Sequence, residues 1–132
     1  LTVRVSDLDI RPVVDSTRFA HESEGRFARI LDFYGVPWEY EPVEFALQWD
    51  VEGRPTAGFR PDFWLPEQRL FVELTTLNQR LVTKKNGKVR RLQQLYPDVR
   101  IKLLYQRDTL GLLAKYGLGG DAAGRLPAAR SA

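Results

Sequence analysis

The chain predicts an α/β fold in which helices flank a mixed sheet, and three features point there. Phe27, Ile30, Leu31 and Tyr34 recur at helical spacing. Two strand-like runs, 59–65 and 70–75, are joined by the tight turn Pro66-Glu67-Gln68-Arg69. A second helical stretch within 79–96 then leads to a short apolar run at Ile101, Leu103 and Leu104. A strand-turn-strand unit pairs antiparallel, whereas strand, helix and strand pair parallel through a right-handed crossover. Both units in one chain make the sheet mixed.

Residues 1–16 alternate only in places (Val3, Val5, then Leu8, Ile10) and read as an arm or an extra strand. The first helix runs from about Thr17 to Tyr34, with Asp15, Ser16 or Thr17 as its cap and Gly35 and Pro37 as its stop. Its stripe extended backward meets Ala20 and Glu24, which puts Glu24 on the packed face and Glu22 elsewhere. Residues 36–49 read as extended, and Pro42 breaks their phase at a bulge or an edge. Residues 51–57 read as a turn, and the first three strands as a meander. Asn86-Gly87 is also a hairpin signal, but its flanks are rich in Lys and Arg. A helix starting near Thr83 or just after Gly87 is therefore expected, with Val89, Leu92 and Tyr96 as its stripe and Pro97 at its end. A last helix is expected over 108–117. The domain so defined is 17–118, and the Gly/Ala/Arg-rich residues 119–132 read as a disordered tail.

The 132 residues suffice for one domain with its own core. Without Cys there are no disulfides, thiolate metal sites or thiol nucleophiles. No apolar run approaches the roughly 20 residues of a membrane span, and no signal-peptide pattern is present, so no membrane role and a cytoplasmic location are expected. The chain begins at Leu1 and contains no Met, as a processed fragment with an upstream domain would. Its net charge of +3 conceals an asymmetry: residues 1–79 hold 8 Lys+Arg against 14 Asp+Glu, whereas 80–107 hold 9 basic residues against Asp98 alone. An acidic half followed by a basic stretch suits a polyanion attacked at a metal; a basic run taken alone is more often a solvated helix face.

If Leu65 pairs with Leu70 across the turn, paired residue numbers sum to 135, so Asp62 and Glu73 fall opposite one another on one face. Opposed side chains have Cβ atoms roughly 4.5–5.5 Å apart, and like charges there repel. A divalent cation would offset that repulsion, as in metal-dependent phosphodiester hydrolysis. The plainer alternative is a structural salt bridge to Arg60, which shares a side with Asp62, or to Arg69.

Helix-borne Glu24, Pro61-Asp62 and Glu73 in the next strand together resemble the PD-(D/E)XK, or restriction-endonuclease-like, nuclease superfamily over about residues 17–106. The resemblance implies a core of helix, three-strand meander, helix and strand. It implies that Asp62, Glu73 and the Leu74 carbonyl hold Mg²⁺ or Mn²⁺, with Glu24 completing the shell directly or through water, and that the chain is an endonuclease acting on DNA ahead of RNA. The family motif has a Lys two residues after the Glu, where this chain has Thr75. Some members take that amine from the following helix. Lys85 lies on the Val89-Leu92-Tyr96 stripe and is the expected catalytic amine, with Lys88 behind it. Lys84, Lys85, Lys88, Arg90, Arg91 and Gln79 are expected to contact the nucleic acid. The departure at Thr75 equally suits a nuclease-fold module that binds nucleic acid or a protein without cutting. Members of this class often form a homodimer to cut both strands.

His21 reads as a surface residue of the opening helix. Phosphate-loop, dinucleotide-binding and zinc-finger motifs are missing. Trp38, Tyr40, Trp49 and Trp64 read as core or sheet-face aromatics, one of which would stack on a base if exposed.

Overall fold

A computed structural model describes residues 10–12, 19–75, 78–105 and 108. In chain order the elements are β1 (Ile10–Pro12), α1 (Glu22–Phe33), β2 (Glu39–Tyr40), β3 (Val43–Trp49), β4 (Pro55–Phe59), β5 (Phe63–Leu65), β6 (Leu70–Thr75), α2 (Gln79–Leu95) and β7 (Ile101–Tyr105). The fold is α/β. Four strands in the order β2-β5-β6-β7 make a mixed sheet, antiparallel except where β6 runs parallel to β7 through α2. The order β1-β3-β4 makes a second, antiparallel sheet. The expected extra strand is thus present at Ile10–Pro12, and the remainder of the arm lies outside the described residues, as do 109–117 of the last helix and the 119–132 tail.

Helix α1 buries Phe27, Ala28 and Leu31 as its spacing requires, and Glu24 with them. It begins at Glu22 rather than near Thr17. His21 is the extended N-cap residue and makes no side-chain cap bond. Upstream, the Ala20 N–H is held by Glu24 and Tyr40 rather than by a helical turn. Gly35 (φ 68°) takes the left-handed conformation that ends the helix.

The extended stretch 36–49 is two strands in two sheets. Glu41, at φ 44°, turns the chain left-handed just before Pro42, so β2 pairs with β5 while β3 pairs with β1 and β4. A non-glycine residue held there costs on the order of 1–3 kcal/mol. The run 59–65 divides the same way. Phe59 closes β4, Arg60-Pro61-Asp62 cross between sheets, and Phe63 opens β5. Among the described residues these strands accordingly form two hairpins rather than a three-strand meander. The expected turn at 51–57 is shorter, with Asp50 closing on Gly53 and Arg54 and a strand resuming at Pro55. Helix α2 starts at Gln79, ahead of both expected starts, because Asn78 accepts the Arg80 and Leu81 N–H groups as an N-cap. Asn86 and Gly87 are interior to it.

Alternation gives β5 and β6 two apolar faces. Phe63, Leu65, Val72 and Leu74 join Phe27, Ala28 and Leu31 of α1 in one cluster. Phe71, with Trp64 beside it, joins Leu92, Tyr96 and the second sheet's Phe45, Leu47 and Phe59 in the other. Leu47 is bulged out of the β3–β4 register. Helix α2 satisfies the carbonyls there: Arg91 Nε donates to the Leu47 carbonyl at 3.2 Å, and the buried Tyr96 hydroxyl donates to that of Ala46 at 2.8 Å. Phe63 is fully buried among Phe19, Phe27, Trp38 and Tyr40. Phe63→Ala is expected to lower unfolding free energy by about 3–5 kcal/mol in denaturant titration, while Phe33→Ala, at a 53% exposed position, stays within about 0.5 kcal/mol of the parent.

Candidate functional site

The β5–β6 ladder pairs Phe63 with Val72, Trp64 with Phe71 and Leu65 with Leu70, the register read from the turn. Asp62 stands one step beyond it, opposite Glu73. There the side chains take over from the backbone ladder. The Asp62 N–H donates to Glu73 Oε1 at 3.0 Å, and the Leu74 N–H donates to Asp62 Oδ2 at 2.9 Å. Both acids are buried, at 6% exposure each. Burial, and then the neighbouring Glu73, push the Asp62 carboxyl up to about 8. Burial also raises Glu73, although Lys85 pulls it back.

Lys85 arrives from α2, on the side its stripe predicts. Its Nζ lies 3.2 Å from Glu73 Oε2 and donates to the Leu74 carbonyl, with 28% of its side chain exposed. The ammonium thus bridges two of the three oxygen groups expected to hold a metal. The salt bridges considered from sequence do not form: Arg60 Nε pairs with Glu44 Oε1 at 2.8 Å, not with Asp62, and Arg69 occupies a left-handed turn position. Glu44 reaches Arg60 because Gly58 has no side chain to meet it.

Glu24 is buried as predicted, but on the α1 side of the sheet. Its Oε1 accepts the Tyr40 hydroxyl at 2.6 Å and the Ala20 N–H at 3.0 Å. Glu22 points outward and pairs with Arg26, and His21 is exposed. Among the described residues, no three Asp, Glu or His side chains approach closely enough to cage an ion. The donor set still fits a hard cation. Mg²⁺ takes one or two carboxylates and retains several waters. Asp62, Glu73 and the Leu74 carbonyl are adjacent oxygen donors, two of which already surround a positive charge; Glu24 would then act through water.

Of the residues expected to contact nucleic acid, Lys84 and Arg90 are exposed on α2, as is Gln79 at its start. Lys88 lies 5.9 Å from the Phe59 ring centroid, and Arg91 reaches Leu47. Arg80, Lys84, Lys88 and Arg91 recur at i, i+4, i+8 and i+11 and form one stripe; Arg90 and Gln79 lie off it. Two neighbours of the site escaped the sequence pattern. Tyr40 reads there as a core or sheet-face aromatic, and Glu41 is given no role. The Glu41 N–H donates to the Asp62 carbonyl at 2.8 Å, and burial and Glu24 raise its carboxyl.

Compared with protein-family models, curated proteins and solved structures, the chain matches none of them. Among the described residues no helix is long and apolar enough to cross a membrane.

The upward shift of Asp62 sets a pH dependence. Its carboxyl is protonated in the fold at pH values where the unfolded chain, near 4, already ionises. Its contribution to stability is therefore full below the unfolded value and is lost as pH rises through about 8. Asp62→Asn retains an acceptor for the Leu74 N–H without the charge. In metal-free thermal unfolding it is expected to stabilise the protein at pH 8.5 by roughly 1–3 kcal/mol and to flatten the decline between pH 5 and 8.5.

Proposed function

We propose that the chain is a metal-dependent nuclease hydrolysing phosphodiester bonds, an endonuclease acting on DNA, with a core like that of the PD-(D/E)XK superfamily. The observation that carries the reading is the buried, opposed pair Asp62 and Glu73, with Lys85 in contact with Glu73. The element order of helix, strands, helix and strand supports it, as does the basic stripe on α2, the helix that carries Lys85.

Asp62, Glu73 and the Leu74 carbonyl would hold Mg²⁺ or Mn²⁺, with Glu24 reaching it through water. When bound, such an ion lowers the pKa of a coordinated water and stabilises charge on the phosphoryl and leaving oxygens. The rest falls to the chain's own groups. Asp62 gives up its proton to bind the cation, so affinity rises with pH. Lys85 exchanges the Leu74 carbonyl for a phosphate oxygen or the attacking water, taking the part left vacant by Thr75. The water oxygen bonds to phosphorus, one P–O ester bond breaks, and the departing oxygen takes up a proton. Arg80, Lys84, Lys88 and Arg91 hold the flanking phosphates.

One observation favours a second reading, a module of the same fold that binds without cutting. The Lys85 ammonium already neutralises Glu73, so the pair can persist without a metal. Calorimetric titration with Mn²⁺ separates the two. Binding in wild type that disappears in Asp62→Asn supports the nuclease, whereas no heat in either supports the inert module.

Cleavage of single-stranded, duplex and branched DNA with Mg²⁺ or Mn²⁺ is expected for wild type and abolished in Asp62→Ala and Glu73→Ala; activity surviving both defeats the proposal. Lys85→Ala is expected to slow turnover by about 10²–10⁴-fold while Mn²⁺ still binds. Lys84→Ala is expected to weaken DNA binding and to reduce its slope against log salt by about one.

A further inference from the structure

Tyr40 stands where three parts of the site meet. Its backbone pairs with Phe63, the residue after Asp62. Its ring packs edge-on against Phe19 (4.8 Å, 77°) and Phe63 (5.6 Å, 63°). Its hydroxyl donates to Glu24 Oε1 at 2.6 Å, a length typical of a hydroxyl bound to a carboxylate, and accepts the Ala20 N–H at 3.0 Å. The next residue, Glu41, donates its N–H to the Asp62 carbonyl. Two consecutive residues thus hold two candidate acids, one on α1 and one in the crossing between β4 and β5.

We propose that Tyr40 is a positioning residue whose hydroxyl orients Glu24 toward the cation's water shell, an inference that rests on the metal-dependent reading above. Glu24 belongs to the first turn of α1, near enough for its charge to raise both Asp62 and Glu73, and its side chain has three rotatable bonds. Packing alone does not select which oxygen faces the acids. The Tyr40 hydroxyl does, because a ring locked between Phe19 and Phe63 holds its oxygen at a set height above β5. With Oε1 doubly engaged, Oε2 accepts no hydrogen bond from the described residues and is the oxygen left for a coordinated water. Outer partners of this kind typically change metal affinity by 10–100-fold when removed.

The test is a double-mutant cycle read by Mn²⁺ calorimetry on wild type, Tyr40→Phe, Glu24→Gln and the double variant, well below the lowest metal-free melting midpoint. Tyr40→Phe keeps the ring and removes one oxygen, so its midpoint should stay near that of wild type while Mn²⁺ affinity falls roughly tenfold. In the Glu24→Gln background the same change should have no further effect. Unchanged affinity in Tyr40→Phe, or an equal loss in both backgrounds, overturns the role. A wild type that takes up no Mn²⁺ overturns both the metal reading and the role of Tyr40. A wild type that binds through Asp62, beside a Tyr40→Phe variant that binds equally well, removes only the latter.

Discussion

Two acids share a buried step of sheet, and each is held by hydrogen bonds to the other's neighbourhood. Asp62 offers its backbone N–H to Glu73 and takes that of Leu74 in return. Backbone donors satisfy an oxygen of each buried carboxyl in this way. They hold the two carboxyl groups side by side, and burial together with the neighbouring Glu73 keeps the proton on Asp62. Lys85 supplies the third support. Withdrawing any one of these leaves a buried polar group without its partner, which is why the surrounding elements are tied so closely to this point.

The ties can be traced outward. Asp62 reaches its position because the chain changes sheet through Arg60 and the buried Pro61. That crossing is pinned from the other edge by Glu41, whose left-handed backbone directs its N–H onto the Asp62 carbonyl. Strain at Glu41 therefore has an identifiable return in the placement of Asp62. Glu73 is set from behind by its parallel neighbour Leu103 on β7, and β7 exists where it does because α2 spans the crossover.

Much of this was readable from residue order. The turn at 66–69 closes the hairpin with one register, and that register alone puts Asp62 across from Glu73. Helical spacing placed Glu24 on a packed face and Lys85 on an inward one. What escaped the pattern was long-range. Pro42 marks the break between β2 and β3, but no local signal sends them, or β4 and β5, to different sheets, because alternation along a strand is the same whichever sheet it joins. Phe59 and Phe63 look equivalent in sequence yet belong to different cores. Tyr40 and Trp38 both read as sheet aromatics, and only the fold brings the Tyr40 hydroxyl to Glu24. The early start of α2 turns on Asn78, a cap whose effect is local but whose place in the chain a hairpin-like Asn-Gly further on obscured.

Helix α2 is moored at its far end by the Tyr96 hydroxyl and Arg91 on the carbonyls beside the Leu47 bulge, and its near end is closed by Asn78. A rod anchored independently of Lys85 keeps its axis when that side chain changes partner. The amine is then a boom on a stationary mast: it can travel by rotation about its own carbon–carbon bonds, on the timescale of side-chain rotamers rather than of helices, and no global rearrangement need accompany its movement.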